Sequence, residues 1–166
     1  MTDEGPGVTT QSIPEITLAT PNDRRTDIDE KQKQVADLLR EYGCDGLLVF
    51  RPENFAWLTS GAVARGVLDE DAQPGLFFTA DGRWLLASNV DTQRLFDEEI
   101  DGLGFQLKEW PWEWGRAQLL ADLCEGRTVA CDLPLENTRW IAEPLQKLRR
   151  TLTEYEIACY RALGQI

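Results

Sequence analysis

The segment GLFFTADGRWLLAS, residues 75–88, places Asp81-Gly82 between two apolar runs. Asp-Gly in that position is the strongest short-range signal for a two-residue hairpin turn. A chain that commits to a hairpin there is building a β-sheet. The expectation is a turn centred on Asp81-Gly82, joining strands that carry Phe77, Phe78, Trp84 and Leu86.

The segments around it alternate between helical and strand patterns. From Asp27, read as an N-cap with Glu30 at N3, Ile28, Val35, Leu38, Leu39 and Tyr42 recur at helical spacing up to a stop at Gly43. Gly46–Phe50 (GLLVF) is an unbroken apolar run, the pattern of an inner strand covered on both faces. ENFAWLTSGA reads as one or two helical turns ending at Gly61, followed by a polar loop through Gln73. After the hairpin, Asn89–Glu99 reads as a helix with Val90 and Leu95 inward, Gly104–Trp110 as a half-buried strand, Gly115–Cys124 as a helix stopped by Gly126, and Thr128–Leu133 as a buried strand. Pro144 breaks residues 137–149 and suggests a fresh helix start near Glu143, while Thr153 with Glu156 forms a capping box for a terminal helix. The fold class is therefore α/β: a mixed sheet with helices on both faces. Residues 1–26, rich in Thr, Pro, Gly and Asp, read as a flexible polar leader whose Ile13, Ile16 and Leu18 are apolar enough to lie along a surface.

Composition then narrows the chemistry. The 166 residues suit one soluble domain. The chain has no His, which removes Ser-His-Asp, Cys-His and His-ligated zinc mechanisms from it. A net charge of −12 repels phosphate backbones and anionic membranes, so neither nucleic acid nor membrane is expected as a partner. Cys44, Cys124, Cys131 and Cys159 are scattered without a CxxC pair and read as small buried hydrophobes. No apolar stretch approaches the roughly 20 residues that cross a bilayer, and no secretory signal opens the chain, so the expected compartment is the cytoplasm.

Few residues invite a functional reading. The acidic runs Asp69-Glu70-Asp71 and Asp97-Glu98-Glu99 lack the spacing of a metal loop or a catalytic pair and read as solvated charge. The glycines assemble no phosphate-binding fingerprint. Trp110, Trp112 and Trp114, three tryptophans within five residues, read about equally well as an interface and as a cap on the core. Arg65 sits on a small-residue loop between Ala64 and Gly66, where a loop cation can serve binding, although an isolated surface Arg is the commoner case. Thr59 and Ser60 have no evident base to activate them.

Taken in order, DIDEKQKQVADLLREYGCDGLLVFRPENFAWLTSG, PGLFFTADGRWLLAS and LRRTLTEYEIACYRALG resemble the N-terminal domain of the creatinase, prolidase and aminopeptidase P (pita-bread) family. Asn54–Gly61 matches its Asn-x-x-x-Leu-Thr-x-Gly segment. The resemblance implies a ribonuclease H-like N-terminal domain over residues 27–152, with 153–166 beginning a linker helix toward a C-terminal catalytic domain. It implies that the parent's catalytic domain holds two divalent metal ions, and that this chain holds no cofactor, no metal and no catalytic residue. It further implies a non-catalytic part in a homodimer or higher oligomer, shaping substrate access in an Xaa-Pro peptidase or creatinase-like hydrolase. Arg65 and Trp57 fall where some relatives reach a neighbouring active site, with the Trp110–Trp114 segment as a further interface candidate. The rival expectation is a free-standing α/β module that binds a small ligand or a protein partner.

Overall fold

A computed structural model of the chain describes residues 20–64 and 72–164. The first helix, α1 (Pro21–Tyr42), starts six residues before Asp27. Thr20 and Asp23 form its capping box, with Thr20 Oγ1 accepting from Asp23 N and the Asp23 carboxylate accepting from Thr20 N at 2.9 Å. Proline in the first turn needs no N–H partner, so Thr20-Pro21 is a better start than Asp27. Asp27 lies well inside the helix, where its carboxylate has a different task. Gly43 closes the helix in the left-handed conformation, as expected. Ile13, Ile16 and Leu18 of the expected leader lie outside the described residues.

The sheet contains β1 (Gly46–Val49), β2 (Gly75–Phe78), β3 (Arg83–Ser88), β4 (Gln106–Trp110), β5 (Val129–Cys131) and β6 (Thr138–Trp140) in the order β4-β3-β2-β1-β5-β6. β1 is an inner strand, antiparallel to β2 and parallel to β5. Its unbroken apolar run is explained by two cores. Leu47 and Val49 enter a larger cluster with α1 and with α2 (Pro52–Leu58) and α5 (Ala142–Arg149). Leu48 and Phe50 enter a smaller one with Phe77, Leu86 and α4 (Ala117–Cys124). The mixed sheet with helices on both faces is the observed architecture.

The hairpin forms, but its turn is shifted by one residue from the expected centre. Phe78 pairs with Arg83, and Thr79 N donates to Gly82 O at 2.9 Å, which leaves Ala80-Asp81 at the tip. Gly82 is absent from the positive-φ glycines. Its lack of a side chain serves packing instead, since a Cβ there would meet Trp84 Cη2 at 2.3 Å.

Three further expectations change. Val90 is exposed, because residues 89–91 form a turn and the helix α3 (Thr92–Leu95) begins after it, running on through a π-turn at Phe96–Ile100. β4 is the sheet edge and leaves Leu107 outside, so it is less buried than its alternation suggested. Residues 138–140, read as part of an irregular stretch, form β6, entered through Asn137 at φ 59°. Pro144 falls in the first turn of α5, where a missing N–H costs no helical bond. The terminal helix α6 (Glu154–Leu163) carries the expected Thr153/Glu156 capping box.

Candidate functional site

The described residues bring their densest polar grouping together where α1, the end of α2 and the start of α6 meet. Lys31 occupies a position on the apolar stripe of α1 between Ile28 and Val35 and is wholly buried. Its ammonium lies 2.7 Å from Asp27 Oδ2, one turn back, and 3.0 Å from Glu156 Oε1. It also donates to Trp57 O at 2.9 Å and Ser60 Oγ at 3.3 Å. A buried ammonium needs such a full set of acceptors, because an unpaired charge in the interior is costly. The Ser60 hydroxyl donates to Asp27 Oδ2.

These bonds fix the segment that leaves α2. Arg24 Nε bridges Thr59 O and Ser60 O, each at 3.1 Å, and Ser60 takes φ 51°. The Thr59 hydroxyl donates to Phe55 O and accepts from Ala62 N. Val63 N donates to Glu99 Oε2 at 3.1 Å, so one member of the acidic run anchors the loop instead of standing in solvent. Ser60 beside a carboxylate resembles a nucleophile with its base only in outline. Asp27 is buried and already bound to an ammonium, so it is not free to act as the base.

A second polar centre closes the C-terminal ends of β1 and β5. Asp132, fully buried, accepts from Phe50 N and Arg51 N and from Asn54 Nδ2, each at 2.9 Å. Trp140 Nε1 donates to Asp132 O at 3.3 Å. Beside it, a groove of about 450 Å³ opens between α2 and α5, lined by Arg51, Asn54, Trp140, Glu143 and Arg149 among others.

The expected site residues that are described, Trp57, Trp110, Trp112 and Trp114, lie in different surroundings. Trp57 is buried in the larger core, with Lys31 Nζ 5.7 Å from its ring centroid, so it packs inward instead of reaching toward a neighbouring molecule. Arg65 lies outside the described residues, as does the Asp69–Asp71 run. Trp110 is buried in the smaller core, whereas Trp112 and Trp114 are 61% and 82% exposed. Burial pushes the Cys131 thiol up to about 12 and raises those of Cys44 and Cys124 as well, which keeps them protonated and unreactive near neutral pH. Among the described residues no group of three metal-ligating side chains exists, so they do not fit the metal pair that the resemblance attaches to the parent. No helix among them is long and apolar enough to cross a membrane.

Sequence reading missed Lys31, Asp132 and the groove. Lys31 left a trace, since a charged residue at position 31 interrupts the stripe Ile28, Val35, Leu38 one turn after an acid. Asp132 left only its place directly after a buried strand. Trp140 and Arg149 come together through β6 and α5 and left no local signal.

Comparison with known proteins gives the frame for these features. The family model for the Creatinase/Prolidase N-terminal domain matches residues 31–158. A search of curated proteins found no match. Among solved structures, prolidase from Pyrococcus horikoshii OT3 is similar at 13% identity, with a TM-score of 0.56 over 77% of this chain and 37% of that one. Dipeptidase PepE from Mycobacterium ulcerans is similar at 16% identity and TM-score 0.53, covering 86% and 37%. X-Pro aminopeptidase from Thermotoga maritima MSB8 is similar at 18% identity and TM-score 0.52, covering 76% and 37%. The chain thus spans little more than a third of the length of each.

Proposed function

The chain belongs to the Creatinase/Prolidase N-terminal domain family, and on that premise we propose that it is the non-catalytic N-terminal domain of an Xaa-Pro peptidase-like metallohydrolase, serving subunit contact and access to a catalytic site carried elsewhere. The observation that supports this reading most is the state of α6. The helix is capped at its start and tied to α1 through Glu156, yet none of its side chains is fully buried and Tyr160 and Leu163 stay about two-thirds exposed. An apolar helix face held in a fixed direction at the edge of a domain is suited to receive further protein. Trp112 and Trp114 add a second apolar patch suited to subunit contact.

In this reading the Lys31 cluster sets the direction in which residues 59–64 leave α2, and Arg65, the next residue, is the cation offered to a substrate or a neighbouring subunit. A guanidinium binds a carboxylate with a charge-assisted bond. The parent's metal pair would reside wholly outside this chain.

The deciding experiment compares the product of the complete gene with the 166-residue chain. The complete product is expected to hydrolyse Xaa-Pro peptides with divalent metal present, and the chain alone is not. Its Arg65→Ala form is expected to raise KM or alter peptide-length preference at unchanged metal content. Turnover by the chain alone, or a complete product that ends at Ile166, overturns the reading.

A further inference from the structure

We propose that the groove between α2 and α5 is a binding site for the free C-terminal end of a peptide. It lies outside the carboxyl ends of the parallel strands β1, β5 and β6, the place where open α/β sheets bind ligands. Its volume of about 450 Å³ falls within the roughly 300–1,000 Å³ of small-ligand sites.

Two of its side chains have unfilled capacity, on a wall made firm by Asn54, which is 3% exposed and donates its Nδ2 to Asp132 Oδ2. Arg149, half-buried at the end of α5, has no hydrogen bond or ion pair among the described residues. The other charges of the lining are matched, Arg51 with Glu53 and Glu143 with Lys147, so Arg149 is the uncommitted charge. Trp140 is pinned through Nε1 to Asp132 O while most of its ring stays exposed, which makes it a fixed apolar platform.

A peptide C-terminus supplies what these two lack. Its carboxylate answers the Arg149 guanidinium, and its terminal side chain covers the Trp140 face. Inorganic phosphate fits less well, because it offers no apolar body for Trp140 and meets a single unmatched cation. The proposal concerns this chain's own groove and holds whether or not a catalytic domain is attached.

The test is fluorescence and calorimetric titration of the 166-residue chain with an N-acetylated tripeptide ending in a free leucine carboxylate, with the same peptide as its C-terminal amide, and with inorganic phosphate. The expected result is saturable binding of the free acid, weakened about tenfold or more in the amide and in Arg149→Gln, as loss of a charge-assisted bond requires. Trp140→Phe should remove the fluorescence change, and phosphate should not compete. Equal binding of acid and amide, no saturation in the millimolar range, or affinity unchanged by Arg149→Gln overturns the proposal; competition by phosphate at the peptide's own affinity reassigns the groove to anions and overturns it too. The acid-against-amide comparison needs no variant and stands even if a substitution impairs folding.

Discussion

Glu156 Oε1 lies 3.0 Å from Lys31 Nζ, while its Oε2 accepts from Thr153 N at 2.9 Å, so one carboxylate both caps the last helix and binds it to the first. None of the residues of helix α6 is fully buried, and Tyr155, Ile157 and Cys159 are half-buried. The position of the helix therefore rests in part on a buried charge 125 residues earlier.

Removing that charge should be severe. Lys31→Met leaves the Asp27 carboxylate buried with no counter-ion, a situation that costs about 3–5 kcal/mol. Adding Asp27→Leu should recover much of the loss, because an apolar pair of similar volume replaces the whole ion pair. Urea unfolding measures both, and amide exchange should show α6 losing protection first in Lys31→Met. A single variant within about 1 kcal/mol of the parent would show that the network contributes little.

Asp132 should be nearly as sensitive. Asp132→Ala strands two backbone N–H groups, of Phe50 and Arg51, and the Asn54 amide. At about 1–3 kcal/mol for each unsatisfied buried group, a loss above 3 kcal/mol is expected in denaturant unfolding. Asp132→Asn keeps one acceptor oxygen and should lose less.

The architecture was legible wherever a local pattern and its burial agree. The run Gly46–Phe50 and the Thr153/Glu156 box each carry their structural role within a few adjacent residues, and each formed as expected. The sites were less legible because they join segments that only the sheet brings together. Asp132 acts on Phe50, Arg51 and Asn54, about 80 residues away, and nothing local to TVACDL indicates those partners. The helix start was misplaced because Asp27 resembles a cap, while its actual partner, Lys31, lies within the same helix. For the tryptophans the strand period alone could not divide the segment, because after Pro111 the chain leaves the sheet and turns Trp112 and Trp114 outward.

Gly82→Ala tests the corrected hairpin. A Cβ would sit 2.3 Å from Trp84 Cη2, so the indole must shift and disturb its 5.7 Å contact with Phe77. Overpacking of this kind costs about 1–3 kcal/mol. Asp81→Gly, at the tip, should change stability by well under that. If both variants unfold alike in urea, Gly82 has no packing role.

Alkaline pH should weaken the fold through Cys131. Burial raises its thiol from about 9 to about 12 in the folded chain. Below pH 9 the thiol is neutral in both states and the contribution is complete. As pH rises from 9 toward 12 the unfolded thiol loses its proton while the folded one keeps it, so stability falls by up to about 1.4 kcal/mol per pH unit. The Tyr155 hydroxyl, raised chiefly by burial, acts in the same direction above its own ordinary range. Urea midpoints followed from about pH 8 to about pH 11 should drop, and Cys131→Val should drop less.

The exposed tryptophans give the most direct check on subunit contact. Trp112 N donates to Asn89 Oδ1 at 3.0 Å, which fixes the backbone of the segment while leaving both indoles in solvent. An aromatic pair on an anchored loop is a low-entropy contact surface, since only the side-chain rotamers remain to be ordered on binding. The double variant Trp112→Ala/Trp114→Ala should therefore leave thermal unfolding of the monomer unchanged and lower the mass seen by sedimentation equilibrium. Acrylamide should quench the parent chain's tryptophan emission more strongly as dilution dissociates the assembly. A parent chain that sediments as a monomer at every concentration, with the double variant indistinguishable from it, would remove the segment from any subunit interface formed by this chain.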